Sequence, residues 1–207
     1  MASMTLFHSP LSPFVRKVMV VLHETGQLDR VTLQGVDISP VKPDATLNQG
    51  NPIGKIPALR LADGTVLHDS RVICEYLDQQ HVGLPLLPRE GSARWRRLTL
   101  MSQADAILDA AVSSRYEVAV RPADKRWDGW LDAQSEKIRR SLADLEQQHL
   151  AEIASGFDLA AIGLACALGY LDLRQPEFGW RERQPGLAAW YAEVAKRPSM
   201  LATAPTA

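Results

Sequence analysis

A serine, a proline and a phenylalanine in succession, Ser12-Pro13-Phe14, mark a place near the N-terminus where chemistry is possible. Proline fits the first position of a helix, where its missing N–H would have no partner, so Ser12 is predicted at the N-cap. The free N–H groups and the positive end of the helix dipole favour an anion at that point. The segment therefore predicts either an anion site or a plain helix cap, which is the commonest use of serine in this position.

A thiol is the ligand group that would gain most from such a helix start. With an ordinary pKa near 8.5, it is only about 3% ionised at pH 7. Lowering that pKa by about two units needs about 2.7 kcal/mol of preferential stabilisation and makes the group mostly thiolate. A hydroxyl that donates a hydrogen bond, added to the helix terminus, is sufficient for this shift.

A second segment, Asn51-Pro52-Ile53-Gly54-Lys55-Ile56-Pro57-Ala58-Leu59, contains a proline, Pro57, that opens a predicted strand, and proline is tolerated at the first residue of a strand. If the Ile56–Pro57 bond is cis, Ile56 presents both its backbone N–H and its C=O to an extended peptide. We expect the cis bond, although an ordinary proline-bounded turn explains the same residues.

A third segment, Asp69-Ser70-Arg71, begins the next predicted helix. An acid and a hydroxyl in a first turn complement the helix dipole, and that is one sufficient explanation. The other is a ligand site, in which Ser70 and the first-turn N–H groups bind a carboxylate and Asp69 binds a nearby ammonium.

The bulk composition narrows the function classes. The chain has 207 residues and a formal net charge of −1, so its overall charge gives no sign of binding nucleic acid or anionic membranes. Its two cysteines, Cys74 and Cys166, lie in apolar helix-like stretches and exclude a disulfide framework. No spacing of cysteine and histidine resembles a metal site, and we expect neither a secretory signal nor a membrane-spanning segment. We expect a cytoplasmic protein without a metal.

Hydrophobic periodicity divides the chain. The first part predicts the order β-α-β, loop, β-β-α, with a hairpin at Asp63-Gly64 and a last helix ending near His81. Beyond it every periodic segment is helical, at about residues 91–119, 125–150, 157–173 and 186–197. The expected organisation is an α/β domain over residues 1–82, a linker over 83–90 and an all-α domain over 91–207.

The three segments, in this order and spacing, resemble the N-terminal domain of the glutathione S-transferase superfamily. The resemblance implies a thioredoxin-like glutathione-binding domain followed by an all-helical C-terminal domain, the glutathione transferase fold. It implies that Ser12 is the catalytic thiol activator and that glutathione is the co-substrate. The implied glutathione-binding residues are Phe14, Lys55, Ile56, Pro57, Asp69 and Ser70.

The helical part extends the resemblance. Ser155-Gly-Phe-Asp158 precedes the apolar run Leu159 to Leu171 and matches the [ST]-x-x-[DE] capping signature, with Ser155 as the expected N-cap. The segments 103–109 and 162–174 are similar to the bacterial YibF-like subgroup.

Polar residues at helical spacing follow the predicted helix from residue 91. A charged stripe is commonly a solvated face, but in transferase-like dimers this helix lines the cleft and the subunit interface. The resemblance therefore implies a second-substrate or dimer-cleft set of Ser9, Asp105, Asp109, Ser113 and Tyr116.

The same helix carries an apolar set, Leu100, Ala104, Ile107 and Ala111. With the resemblance, it predicts a homodimer in which Asp105 of one subunit approaches glutathione bound in the other. The alternative is a helix central to the core of a single chain.

Three functions remain for comparison. The favoured one is a serine-type glutathione transferase that conjugates glutathione to an electrophilic small molecule. A thiol–disulfide reductase needs a nucleophilic cysteine near residue 12, and the first cysteine is Cys74. A non-catalytic glutathione-binding or protein-interaction module of the same fold stays open, since fold does not imply function.

Overall fold

A computed structural model describes residues 4–205 of the chain. These residues form two compact units. The first contains residues up to Leu87 together with the segment from Pro198 onward, and the second runs from Pro88 to Arg197.

The first unit confirms the expected order β-α-β followed by β-β-α, with a short helix between the halves. Its elements are β1 (Met4–His8), α1 (Pro13–Glu24), β2 (Val31–Gly35), α2 (Ala45–Gly50), β3 (Ala58–Arg60), β4 (Val66–Leu67) and α3 (Ser70–Asp78). A single 3₁₀ turn, Leu28–Arg30, precedes β2.

The strands of this unit form a mixed sheet in the order β2-β1-β3-β4. β1 is parallel to β2 and antiparallel to β3, and β3 is antiparallel to β4. Parallel pairing of β1 and β2 requires a crossover connection, which α1 provides.

Both faces of the sheet are covered. Phe7 packs with Leu47 of α2 and Ala58 of β3 in one buried cluster. Leu6, its neighbour on β1, is fully buried and points to the opposite face, because successive residues of a strand alternate. Helices α1 and α3 pack against each other. Helix α1 is buried on more sides than the apolar stripe Val15, Val18 and Leu22 requires, and even Lys17 is only 2% exposed.

A last helix, α10 (Pro198–Ala202), belongs to the first unit and packs against α1. The buried Arg16 guanidinium donates to the Met200 carbonyl oxygen at 3.1 Å and to Thr203 Oγ1 at 3.4 Å. At the other end of α1, Ser199 Oγ donates to Glu24 Oε1 at 2.5 Å.

The second unit is helical throughout its regular elements. They are α4 (Gly91–Ala119), α5 (Asp128–Asp144), α6 (Leu150–Ala154), α7 (Leu159–Arg174), α8 (Trp180–Arg183) and α9 (Pro185–Val194). A π-helical turn, Leu145–His149, joins α5 to α6, and 3₁₀ turns occur at Ala123–Lys125 and Pro176–Phe178. No helix in residues 4–205 is both long and apolar enough to cross a membrane.

Helix α7 is the centre of this unit. Every residue from Leu159 to Leu171 is buried, and α4 packs along it. The four apolar residues of α4 that suggested a subunit interface, Leu100, Ala104, Ile107 and Ala111, are each at most 4% exposed in the single chain. They are therefore core residues, and the interpretation of this set as spare surface for a partner is wrong.

The start of α7 corrects a second expectation. Its N-cap is Asp158, not Ser155, because the Asp158 backbone is extended and its Oδ1 accepts from the N–H groups of Ala160 and Ala161, both at 3.0 Å. Ser155 lies at the end of α6, where its hydroxyl donates to the Glu152 carbonyl oxygen at 2.7 Å.

Candidate functional site

The register of the sheet gathers the three predicted segments at one end of the first unit. Phe7 lies opposite Ala58, so the end of β1 lies beside the start of β3. Leu59 lies opposite Leu67, so the end of β4 reaches the same edge. The chain leaves or enters that edge at Ser12, at Ile56-Pro57 and at Asp69-Ser70. In sequence, Ile56 lies 44 residues after Ser12 and Asp69 lies 12 residues after Pro57.

Ser12 is the N-cap of α1. Its Oγ accepts the Val15 N–H at 3.3 Å, and its side chain is half-buried. Capping uses a lone pair of the hydroxyl oxygen, and a hydroxyl has two lone pairs and one O–H donor. The O–H of Ser12 therefore stays available to donate to an anion, and capping and thiolate stabilisation do not exclude each other.

The turn before α1 is fixed by backbone bonds. The Ser12 N–H donates to the Ser9 carbonyl oxygen at 3.1 Å, and the Arg16 N–H donates to the Ser12 carbonyl oxygen at 3.0 Å. Phe14 is half-buried in the first turn of α1, and that turn contains no acid. The positive end of this helix is therefore not neutralised by its own first turn.

The second segment forms the loop between α2 and β3. The Ile56–Pro57 bond is cis, as expected from the sequence. Pro57 is buried, Ile56 is half-buried and Lys55 is exposed. A tight turn precedes them, in which the Gly54 N–H donates to the Asn51 carbonyl oxygen at 2.9 Å and Gly54 has a φ of 62°, a conformation that favours glycine.

The third segment is the start of α3. Asp69 is its N-cap and accepts the Arg71 N–H at 2.9 Å, while Ser70 is 2% exposed. The Arg71 guanidinium donates to Asp69 Oδ2 at 2.8 Å. Burial acts to raise the pKa of the Asp69 carboxyl, but hydrogen bonds from Arg71 and the charges of Arg71 and Lys17 outweigh it and lower the pKa overall. Asp69 is thus a carboxylate at neutral pH, and its negative charge suits a ligand ammonium.

Two residues to which the sequence analysis assigned no role, His8 and Asn51, also lie at this edge. His8 ends β1, and burial lowers the pKa of its imidazole, which favours the neutral form at pH 7. Asn51, the first residue of the second segment, had no predicted role and is fully buried. A polar residue within an apolar pattern is the sequence signal for such a site, but Asn51 lies in a loop where no pattern exists.

The remaining candidates lie on α4 of the second unit, apart from Ser9, which precedes Ser12. Asp105 is 5% exposed and so belongs to the buried side of α4, whereas Asp109 is exposed, Ser113 is half-buried and Tyr116 is 37% exposed. Within residues 4–205 no group of three or more His, Cys, Asp or Glu side chains is placed to hold a metal ion.

Comparison with known protein families gives the class. Residues 6–85 match the N-terminal domain of glutathione S-transferases, and residues 128–193 match their C-terminal domain. The chain is also 36% identical to the uncharacterized GST-like protein YibF of Escherichia coli over 98% of both chains. It therefore belongs to the glutathione S-transferase family, and the expected likeness to YibF is confirmed. The α/β first unit corresponds to the thioredoxin-like N-terminal domain of the glutathione transferase fold.

Solved structures give the same result at higher identity. A glutathione transferase family member from Pseudomonas fluorescens, crystallised with bound glutathione, is 66% identical, covers 99% of this chain and 100% of its own, and superimposes with a TM-score of 0.98. A structure from the same organism with bound S-(propanoic acid)-glutathione is 63% identical, with the same coverage and a TM-score of 0.93.

Proposed function

We propose that this protein is a serine-type glutathione transferase: it binds glutathione at the edge of its sheet, stabilises the thiolate with Ser12 and conjugates it to an electrophilic small molecule. The observation that carries the proposal is the register that places the N-terminus of α1, the Ile56 backbone and the N-terminus of α3 at one edge. The glutathione bound by the relative from Pseudomonas fluorescens supports the choice of ligand.

Each part of glutathione has a group of matching charge or hydrogen-bonding type. The γ-glutamyl carboxylate is an anion for Ser70 and the first-turn N–H groups of α3, and the γ-glutamyl ammonium is a cation for the ionised Asp69. The cysteinyl backbone pairs with the N–H and C=O of Ile56. Phe14 lies two residues after Ser12, and Pro57 follows Ile56. The positive charge of Lys55 can pair with a carboxylate of glutathione.

The chemistry follows from the thiolate at Ser12. The glutathione sulfur attacks the electrophilic carbon and forms an S–C bond. Either a leaving group departs from that carbon with the bonding electrons, or the sulfur adds to one carbon of a C=C bond and the other carbon takes up a proton. The bound S-(propanoic acid)-glutathione of a relative is a thioether of this product type. Cys74 and Cys166 are both buried and neither is in a disulfide, which fits the reducing cytoplasm in which we place the protein.

Two measurements test this function. Calorimetry with glutathione asks whether the site binds, and a panel of electrophiles asks whether the bound thiolate reacts. Binding with turnover is the expected result. Binding without turnover on any electrophile would favour the non-catalytic module, and no binding would refute the proposal.

Replacing Ser70 with alanine is expected to weaken glutathione binding by about 1–2 kcal/mol, because one charge-assisted hydrogen bond to the γ-glutamyl carboxylate is lost. Calorimetry at neutral pH measures the change. Ser92→Ala is the matched control, since Ser92 is an exposed serine in the first turn of α4. Equal affinities in the two variants would remove Ser70 from the site.

We also keep the homodimer as a proposal, but on a different face of α4. Trp95 is 67% exposed and borders a groove of about 470 Å³ on this helix, with Leu98, Thr99, Ser102, Gln103 and Ala106. An exposed tryptophan beside a groove is a common feature of protein interfaces, where aromatic anchors contribute much of the binding energy. A second copy of the chain would cover it around a two-fold axis.

Sedimentation of the chain at micromolar concentration should then show a species of twice 22.8 kDa. Trp95→Arg should shift it to the monomer, whereas Trp127→Arg should not, although Trp127 is 68% exposed in the same unit. A wild-type chain that sediments at 22.8 kDa would exclude the dimer.

A further inference from the structure

Asn51 is a fully buried polar residue in the loop that leads to Ile56 and Pro57. It ends α2, where its N–H donates to the Leu47 carbonyl oxygen at 2.8 Å. Its side-chain Nδ2 donates to the Lys55 carbonyl oxygen, also at 2.8 Å. Its Oδ1 is buried without a hydrogen-bond partner among the described residues. Among the described residues, the side-chain amide of Asn51 therefore makes one hydrogen bond, which its Nδ2 donates to the Lys55 carbonyl oxygen.

That bond acts on the peptide group that Lys55 shares with Ile56. The peptide bond between them is trans, since the cis bonds of the described chain are Ile56–Pro57 and His68–Asp69. The C=O and N–H of a trans peptide point in opposite directions within one plane. When the Lys55 oxygen is held toward the buried Asn51 amide, the Ile56 N–H is turned away from it.

We infer that Asn51 is a positioning residue for the Ile56 clamp: its side-chain amide sets the direction in which the Ile56 N–H points. This inference rests on the proposed function, in which the Ile56 N–H donates to the cysteinyl backbone of glutathione. Asn51 does not touch the ligand. It acts through the Lys55–Ile56 peptide plane and holds it in the bound orientation before glutathione arrives, which lowers the cost of ordering the loop on binding.

The variant Asn51→Asp keeps the shape of the side chain and replaces the donor with an acceptor, which repels the Lys55 oxygen. Asn51→Ala removes the donor without adding a charge, and it decides the matter if the aspartate variant does not fold. Asn48→Ala is the matched control, because Asn48 precedes Asn51 by one helical turn and its Oδ1 also lacks a hydrogen-bond partner among the described residues.

We expect the dissociation constant for glutathione to rise about tenfold or more in both Asn51 variants and to stay within about twofold in Asn48→Ala. At saturating glutathione, kcat should stay within about twofold of the wild type, so the loss falls on KM. Hydrogen exchange gives the direct measurement: glutathione should protect the Ile56 amide in the wild type and protect it less in the Asn51 variants.

Different results overturn different statements. A wild type that does not bind glutathione refutes the proposed function and this inference with it. A wild type that binds while Asn51→Ala only lowers the thermal midpoint, with unchanged affinity and unchanged protection of Ile56, refutes this inference alone and leaves Asn51 as a structural residue.

Discussion

Glutathione bound to the Ser12→Ala variant is expected to lose most of its thiolate at neutral pH. In the wild type, the Ser12 hydroxyl has its O–H free to donate while its oxygen caps α1 through Val15. Without that donor, we expect the pKa of the bound thiol to return toward 8.5 from about two units below it. The thiolate fraction at pH 7 should then fall by up to about 25-fold, the value for a complete return to 8.5, and turnover should fall with it.

The measurement is a titration of the thiolate absorbance of the complex, together with kcat/KM for one reactive electrophile. Loss of the cap should cost about 1 kcal/mol of stability, so the fold survives. Ser9→Ala is the control, because Ser9 supplies only its carbonyl oxygen to the Ser12 N–H. If Ser9→Ala abolishes the thiolate and Ser12→Ala does not, the wrong serine has been assigned. If neither changes it, Ser12 is a helix cap and nothing more.

The largest effect on stability is expected at Asp158. Its Oδ1 caps α7, and its Oδ2 lies 2.8 Å from Nε of Arg97 on α4. Burial raises the pKa of the Asp158 carboxyl, although hydrogen bonds from the Ala161 and Ala160 N–H groups and the positive charge of Arg97 oppose the shift. Asp158→Ala removes the cap and leaves the mostly buried Arg97 charge without this partner. We expect the free energy of unfolding to fall by about 3 kcal/mol.

Denaturant unfolding measures this loss, and two further variants separate its causes. Asp158→Asn retains a good cap but not the charge, so it should lose less than Asp158→Ala. Asp132→Ala replaces an exposed aspartate on α5 and should change stability by no more than about 0.5 kcal/mol. If Asp158→Ala were as mild as Asp132→Ala, the link between α4 and α7 would not contribute to stability.

The first unit was largely predictable because its signals are local. The proline at the start of α1 and the turn at Asp63-Gly64 each determine structure within a few residues. Asn51 was missed for the opposite reason. Its partner is the backbone carbonyl oxygen of Lys55. Because every residue has a backbone oxygen, the sequence does not indicate which one a side chain will contact.

The helical unit shows a different limit. The spacing of Leu100, Ala104, Ile107 and Ala111 predicts an apolar face, and the face exists. Periodicity cannot distinguish a face that α5 and α7 cover from one that a partner covers, because both require the same residues. The capping signature at Ser155 met the same difficulty, since Ser155 and Asp158 are both good N-cap residues and only the backbone conformation selects Asp158.

The return of the chain end to the first unit has a consequence for protein engineering. The buried guanidinium of Arg16, one turn after Ser12, has its acceptors on Met200 and Thr203. A fragment that stops at Leu87 lacks both acceptors, so we do not expect residues 1–87 alone to keep the buried Arg16 guanidinium hydrogen-bonded in the same way. A chimera that exchanges the helical unit with that of another family member needs two junctions, one after Leu87 and one before Pro198, so that α10 stays with the helix it supports.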